Sequence, residues 1–416
     1  MLALLGAISV VTLIVDKKAA RRPVLIIAAI ILIGIYGALV GIGNPGVLHG
    51  MAVWVVAPIL FGSWALSGDL VQLKLTIRTI AIMTAVVGGL ILLYVGGVLG
   101  PIPQLVPSFV LDFVGMQYFE ADDGSPTVSN FALSTLIAAA PMFITAALVP
   151  AHPLLPPKWA SITVAVIAAS AGLVGGRDIT TLVMVAVPIL MWIVGRIIGG
   201  PEANRWRSWL VPGGLAAAAV AGAAALTAAG NLSIVRTFSR VLSYVAPQGE
   251  VSVDDNVRVQ QSQQLIDGWM QSPIFGNGLG ATLDGYDRSS TKPWNFELQY
   301  HVLLFQTGFV GALLAMVAIY FAGRAVLRVL QIRRDLAPVL LVTGAAAVAM
   351  LVANATNPYL QAPGNMWAPY LGLLALNAAL VSAGTRADTI APRVAGPPVD
   401  GGHSHEHRKD AANARD

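Results

Sequence analysis

Residues 79–99 read TIAIMTAVVGGLILLYVGGVL, a stretch without a single charged side chain. A helix of about 20 apolar residues crosses a bilayer, because each residue adds about 1.5 Å to a hydrocarbon core about 30 Å thick. Similar runs recur along the chain, and only 11% of its residues are charged. A soluble protein uses about 25% charged residues to cover its surface. The sequence therefore predicts a membrane protein rather than a large soluble helical core.

Outward from this stretch, hydropathy and length predict an all-α polytopic helix bundle of about eleven spans, or twelve. The count depends on a short first run and on two spans separated only by a tight turn. The 42 glycines favour helices packed through small side chains. The predicted spans lie near residues 2–15, 24–42, 51–67, 79–99, 131–149, 159–175, 179–195, 209–229, 297–322, 337–354 and 365–383.

The basic residues orient the bundle in an inner membrane. If the spans alternate, the loops on one face hold 14 Lys and Arg residues and those on the other face hold six. Cytoplasmic loops are enriched in Lys and Arg, so the first face is predicted to be cytoplasmic. The chain then divides into spans one to eight (1–230), an extracytoplasmic loop domain (231–296), spans nine to eleven (297–383) and a disordered cytoplasmic tail (384–416).

Two outer loops are long. Residues 101–130 become acidic near their end, and residues 231–295 are far longer than a connection requires. Within the second loop, residues 231–246 alternate apolar and basic side chains at helical spacing, which is typical of a helix lying on the membrane surface. Asp254 or Asp255 is then predicted to cap a second helix. The outer domain is therefore expected to be mostly helical.

The outer arginines are candidates for function, because charge close to the hydrocarbon is costly. Arg177 lies in a tight turn between two apolar spans. It is either a phosphate ligand, since a guanidinium binds phosphate oxygens in a fixed fork, or an interfacial anchor paired with Asp178. Arg258 is either a phosphate ligand or a solvated charge on the second loop helix. Arg236 and Arg240 are further candidates for substrate binding.

Glu297 and His301 stand where the ninth span is predicted to begin, with Tyr300 beside them. Their four-residue spacing places the carboxylate and the imidazole on one helix face. Either group is a candidate general base, and the alternative is an ion pair or a cap at the helix start. Before this span, residues 273–280 read PIFGNGLG, which is more typical of a tight turn than of a phosphate cradle.

Taken in order, these motifs resemble the O-antigen ligase and polymerase family. The arginine before an apolar span, the arginine in the long loop, the P-x-x-G-x-G-x-G turn and the polar helix start running into QTGFVG at 306–311 follow that family's order. The segment SNFA at 129–132 is similar to its Asn-x-x-Ala segment, which makes Asn130 a candidate for substrate binding. The resemblance covers roughly residues 130–311.

The resemblance implies a membrane glycosyltransferase that uses polyprenyl-diphosphate-linked glycans on the outer face, without a metal or other cofactor. It implies that Arg177 and Arg258 bind the donor diphosphate. Many members begin the last motif with His-Asn, whereas this chain has Glu297-Leu298 with His301 one turn further on, so both residues remain candidates for the base. The implied partners are the lipid-linked donor, a glycan or glycolipid acceptor, the bilayer and a chain-length regulator, with no nucleic acid.

The sequence thus predicts glycan transfer to a sugar hydroxyl, by a polymerase or a ligase of a surface polysaccharide such as lipopolysaccharide. The alternative is a transporter or flippase of an anionic lipid-linked glycan, which would use the same arginines. Transporters usually contain inverted repeats and broken helices with ionisable groups at the midplane. The spans here are nearly free of charge between their ends, and no repeat is visible. Chemistry at the outer face is therefore favoured.

The orientation predicts how this cysteine-free chain reacts with an impermeant thiol reagent. A single cysteine at Ser289 should be labelled in intact cells once any outer membrane is permeabilised, because it lies in the outer loop. A single cysteine at Ser208 should be labelled only after lysis. Mass-tagging of the two variants measures this, and the reverse pattern would overturn the orientation.

Overall fold

The computed structural model describes residues 23–99, 104–115, 117–120, 126–129, 133–174, 178–198, 253–286 and 290–390. Most of these residues are helical, as predicted. The helices are α1 (Val24–Val40), α2 (Val47–Met51), α3 (Ala57–Ser67), α4 (Leu70–Leu99), α5 (Ser108–Val114), α6 (Leu133–Leu148), α7 (Lys158–Val174), α8 (Asp178–Ile198), α9 (Val253–Gln271), α10 (Gln299–Ile332), α11 (Ala337–Ala353) and α12 (Trp367–Ile390). A π-helical segment, Ala52–Val56, joins α2 to α3, and 3₁₀ turns are formed by Arg334–Leu336, Tyr359–Gln361 and Pro363–Asn365.

Six helical segments among the described residues are long and apolar enough to cross a membrane. They are Val47–Ser67, Leu70–Val98, Ile179–Ile198, Gln299–Ile332, Arg334–Ala353 and Pro363–Ala383, and the shorter apolar helices are Val24–Val40, Leu133–Leu148 and Lys158–Leu173. These nine segments coincide with nine of the predicted spans. The other two predicted spans, near 2–15 and 209–229, lie outside the described residues. The described helices therefore have the lengths and composition of a membrane protein.

The loop before α6 contains a hairpin that the sequence did not predict. There β1 (Gln117–Glu120) pairs with β2 (Pro126–Ser129) in a two-stranded antiparallel sheet, a small addition to a structure whose described residues are mostly helical. Backbone groups outside a helix need partners, and a hairpin supplies them within a short loop.

Two helix ends also differ from the prediction. α9 confirms the second helix of the long loop, but it begins at Val253, so Asp254 and Asp255 lie in its first turn rather than before it. α12 continues to Ile390, beyond the predicted start of the tail at 384. Pro392 stands just past that end, and proline cannot continue a helix because it lacks the N–H and clashes with the preceding turn. The rest of the tail and residues 231–246 lie outside the described residues.

The core lies where α6 packs against α7, α8 and α11, and α11 against α12. Small side chains dominate it: Ala138, Ala139, Ala346 and Ala349 are fully buried, with Phe143 among them. Small residues let helix backbones approach closely, which drives packing where the surrounding lipid is as apolar as the side chains. Leucine, isoleucine and valine instead dominate the exposed faces of α4, α8 and α10.

At the face of the bundle that is predicted to be cytoplasmic, basic side chains donate hydrogen bonds to groups near the helix termini. Arg333 donates to both carboxylate oxygens of Asp335, at 2.9 and 2.8 Å. Arg334 donates to the carbonyl of Ile198 at the end of α8. Lys158 donates to the last carbonyls of α6, at 2.8 and 3.0 Å. Cations at helix C-termini satisfy carbonyls that have no partner inside the helix.

The long helix α10 is broken at Gly308. This residue has φ 57° and ψ −158°, a conformation that is essentially restricted to glycine. The break leaves the N–H groups of the following residues without helical acceptors. Phe309 and Val310 donate instead to the carbonyls of Pro273 and Ile274, at 3.0 and 3.2 Å.

The freed carbonyls before the break are satisfied by the same partner, residues 273–280, which we call the glycine segment. Asn277 donates its N–H to the carbonyl of Phe305 at 2.9 Å, and Gly278 donates to that of Gln306 at 2.8 Å. Unpaired backbone groups at membrane depth cost several kcal/mol each. Hydrogen bonds to the glycine segment therefore offset the free-energy cost of breaking α10.

The other edge of the glycine segment binds the end of α1. Leu279 donates its N–H to the carbonyl of Gly37 at 2.8 Å, and the Asn44 amide donates to the carbonyls of Asn277 and Leu279 at 2.9 and 3.2 Å. A Cβ at Gly278 would lie 2.2 Å from the Cα of Gly41, a distance that real Cβ atoms do not show. Glycines are thus required because backbone meets backbone on both sides of the segment.

Gly308→Ala should destabilise the fold, because alanine strains at this positive φ and its Cβ would lie 2.4 Å from the carbonyl oxygen of Ile274. The expected cost is about 2 kcal/mol or more. The matched control is Gly323→Ala in the same helix, whose Cβ would meet nothing within 4 Å. It should be neutral or slightly stabilising. Thermal unfolding in detergent measures both, and equal stability of the two variants would contradict the role of the break.

Candidate functional site

Arg258 on α9 and Glu297, just before α10, form an ion pair. The Arg258 Nε donates to Oε2 of Glu297 at 3.1 Å. The carboxylate side chain is 12% exposed and the arginine side chain 34%. The structure thus brings together two of the residues singled out from the sequence, which lie 39 positions apart.

Gln261, one turn after Arg258 on α9, positions the backbone of Glu297. Its Oε1 accepts the N–H groups of Glu297 and Leu298, at 3.0 and 3.3 Å, and its Nε2 donates to the Tyr286 hydroxyl at 3.3 Å. The side chain is almost fully buried, at 1% exposed. A buried amide that makes all these bonds is a specific constraint, because any shift would leave polar groups unpaired.

An aromatic cluster lies beneath this backbone. The Phe296 ring stacks on Tyr286 at 6.4 Å between centroids and meets Phe305 edge-on at 6.3 Å. Leu265 of α9 is buried in the same cluster. These contacts dock α9 on the start of α10, so the polar pair above them rests on a packed apolar base.

The predicted stacking of Glu297 and His301 on one helix face is wrong. α10 begins at Gln299, so Glu297 precedes the first helical residue. Its backbone N–H bonds to Gln261 on α9, and its side chain turns to Arg258 instead of lying along α10. His301 is half-buried in the first turn of α10. The ion-pair alternative for Glu297 is the one that the structure contains.

Two further glutamines hold the start of α10, and sequence reasoning missed them. Gln299 donates to the carbonyl of Phe296 at 2.7 Å and accepts from the Nε2 of Gln361 at 3.0 Å. Tyr300, a predicted substrate-binding residue, donates its hydroxyl to the carbonyl of Leu351 at 2.6 Å. A short sequence motif could not have revealed the pair, because Gln361 lies 62 positions from Gln299 along the chain.

An apolar cavity of about 690 Å³ opens beside this site. That volume falls within the range of pockets for small ligands, about 300–1,000 Å³. Its walls come from α1, α3, α8, α10, α11 and α12, and almost all are aliphatic. The polar residues Gln299, Tyr300, Asn354 and Gln361 line it where α10 begins and α11 ends. The cavity is therefore amphipathic, with a long apolar part and a polar end at the first residues of α10.

The glycine segment is a tight structural turn and not a phosphate cradle. Its N–H groups at Gly276, Asn277, Gly278 and Leu279 all donate to protein carbonyls. A phosphate would need those same donors. Of the two alternatives that the motif left open, the structure favours the turn.

Other predicted site residues fall outside the described part of the chain. These are Arg177, Asn130, Arg236 and Arg240. α7 ends at Val174 and α8 begins at Asp178, so Arg177 lies between these two helices in the sequence. Within the described residues, no group of three or more His, Asp or Glu side chains is placed to hold a metal ion.

Comparison with known proteins gives no family for this chain. A scan against protein-family models finds no match, and a search of curated proteins finds none either. The sequence motifs and the geometry of the site are therefore the evidence for what this protein does.

Proposed function

We propose that this protein transfers a glycan from a polyprenyl-diphosphate donor to a sugar hydroxyl of an acceptor, on the extracytoplasmic face of an inner membrane. The observation that supports it best is the Arg258–Glu297 ion pair just before α10, the helix whose first residues line the polar end of an apolar cavity. The motif resemblance to O-antigen ligases and polymerases also supports it. We further propose that the chain crosses the membrane about eleven times and that α9 belongs to an extracytoplasmic domain.

The cavity suits the lipid part of such a donor. Its lining is aliphatic along α10 from Leu303 to Leu330, as an isoprenoid chain requires. The polar side chains Gln299, Asn354 and Gln361 lie at one end, where α10 begins two residues after Glu297. A polyprenyl chain in the cavity is proposed to leave its diphosphate at this end.

Arg258 is the proposed ligand of the donor diphosphate, with Arg177 as the second. A guanidinium carries five N–H donors, so contact with Glu297 through Nε is compatible with contact to phosphate oxygens. Negative charge develops on the diphosphate as the glycosidic bond breaks, and a fixed cation stabilises that charge. Asn130, Arg236 and Arg240 are proposed to contact the glycan.

Glu297 is the proposed base. The acceptor hydroxyl oxygen attacks the anomeric carbon, the bond from that carbon to the diphosphate oxygen breaks with its electron pair, and the hydroxyl proton passes to the Glu297 carboxylate. His301 is the other candidate, since its half-buried imidazole lies one helical turn further into the membrane.

One observation favours the second candidate function, transport of an anionic lipid-linked glycan. α10 is broken at Gly308, and transporters bind anions at the exposed ends of broken helices. Here the freed N–H groups of Phe309 and Val310 bond to the glycine segment, which leaves them no capacity for substrate. The break therefore does not provide an anion site of the kind that transporters use. Turnover of donor in detergent, where no transport is measurable, separates the two functions.

Substitution of the ion pair tests the chemistry. Glu297→Gln is nearly isosteric and removes the base, so turnover of a polyprenyl-diphosphate oligosaccharide should fall about 10²-fold or more while donor binding persists. Arg258→Lys keeps the charge but loses the planar fork, so turnover should fall at least about tenfold. Gel ladders or release of polyprenyl diphosphate measure both variants.

His301→Ala is the comparison for the base. It should reduce turnover less than Glu297→Gln does. An active Glu297→Gln together with an inactive His301→Ala would move the base to His301. Normal turnover in folded Arg258→Ala would make that arginine structural, and no turnover by the wild-type protein with any lipid-linked donor would contradict glycan transfer.

The cavity offers a matched pair of glycines for testing the lipid site. Gly344 lines the cavity and a Cβ there would meet nothing within 4 Å, so Gly344→Leu fills the cavity without a clash. Gly89, in the middle of α4, is equally open but does not line it. Gly344→Leu should weaken donor binding at least about tenfold, because the leucine side chain takes the space of several lipid methylenes, and each methylene that is not buried loses about 0.8 kcal/mol of binding free energy. Gly89→Leu should bind normally, and equal binding by both would place the lipid elsewhere.

A further inference from the structure

A small polar pocket adjoins the apolar cavity, and no part of the proposed chemistry uses it. Its walls include His49, Trp294, Gln306 and Gln361, and we call it the amide pocket. It shares Gln361, Val53 and Trp54 with the apolar cavity. Its volume of about 20 Å³ holds one water-sized group.

Gln306 is the unusual member of this pocket. It is only 7% exposed, within the apolar stretch of α10. Its side-chain amide makes no hydrogen bond with another described residue, whereas the amides of Gln261 and Gln299 are both bonded to protein groups. Its amide atoms are not among the fully buried unpaired atoms of the described residues, so the amide opens onto the pocket and can bond to a polar group from outside the protein.

Glycines in the wall let the backbone approach closely and leave the Gln306 amide uncovered. Gly46, Gly50 and Gly280 form part of its wall. A Cβ at Gly46 would lie 2.3 Å from the Trp294 ring, and one at Gly280 would lie 2.1 Å from the backbone of Gly46. Any larger residue would therefore displace the walls. The result is a space for a single hydroxyl beside an indole ring and two amides.

We propose that the amide pocket binds one hydroxyl of the sugar that is linked to the lipid carrier, with Gln306 as its hydrogen-bond partner and Gln361 beside it. This inference rests on the proposed function, since it identifies where the donor's first sugar binds. Aromatic faces and amide side chains are suited to sugars, which present apolar ring faces and hydroxyls together. Trp294 precedes Glu297 by three residues, so a sugar held here would lie near the proposed base.

The test compares the binding of two lipids. The probes are undecaprenyl diphosphate alone and undecaprenyl diphosphate carrying one glucose, galactose or N-acetylglucosamine. Wild-type protein in detergent should bind at least one sugar-bearing lipid about tenfold more tightly than the bare lipid, because the hydroxyl satisfies a buried amide. Gln306→Leu should remove this difference and leave the affinity for the bare lipid unchanged.

Two measurements separate a substrate pocket from a structural one. Gln306→Leu should not lower the thermal stability, because the amide that it removes has no hydrogen-bond partner among the described residues. A marked loss of stability would make Gln306 a structural residue and overturn the proposal. The control is Gln263→Leu on an exposed position of α9, which should keep the sugar-dependent difference. If the difference survives in Gln306→Leu, or wild-type protein shows none with any sugar, the pocket holds only water. Failure to bind even the bare lipid would instead contradict the proposed function.

Discussion

The break in α10 at Gly308 is the constraint on which the rest of the structure depends. It frees four backbone groups in an apolar setting, and the glycine segment pairs with all four of them. The same segment bonds to the carbonyl of Gly37 in α1. A single eight-residue stretch therefore joins the first described helix, α9 and the broken helix α10. Its glycines allow this contact because side chains would hold the backbones apart.

The site follows from that junction. The glycine segment fixes the end of α9 against α10, which places Arg258 beside Glu297. The aromatic cluster around Phe296 then docks the two helices. A largely buried carboxylate is costly without a partner, and the Arg258 guanidinium donates to it. The polar end and the apolar cavity together suit a substrate with a charged head and a hydrocarbon chain.

Neutral amides do much of the positioning around the ion pair. Gln261 holds the backbone at Glu297, and Gln299 bonds both to the carbonyl of Phe296 and to Gln361. An amide carries donors and an acceptor without a net charge, so it costs less to bury near lipid than an ion does. The amides can therefore orient the backbone where α10 begins without adding a net charge there.

The sequence by itself determined the membrane class, the positions of nine apolar helices, the helix that carries Arg258 and the tight turn of the glycine segment. These features are local, since hydropathy and glycine spacing act over about 20 residues or fewer. Only the tertiary structure decided that α10 breaks at Gly308, that Glu297 turns away from His301 to Arg258, and that Gln361 reaches Gln299. Those outcomes depend on backbone groups and amides that find partners far along the chain, and no short stretch of sequence contains both partners.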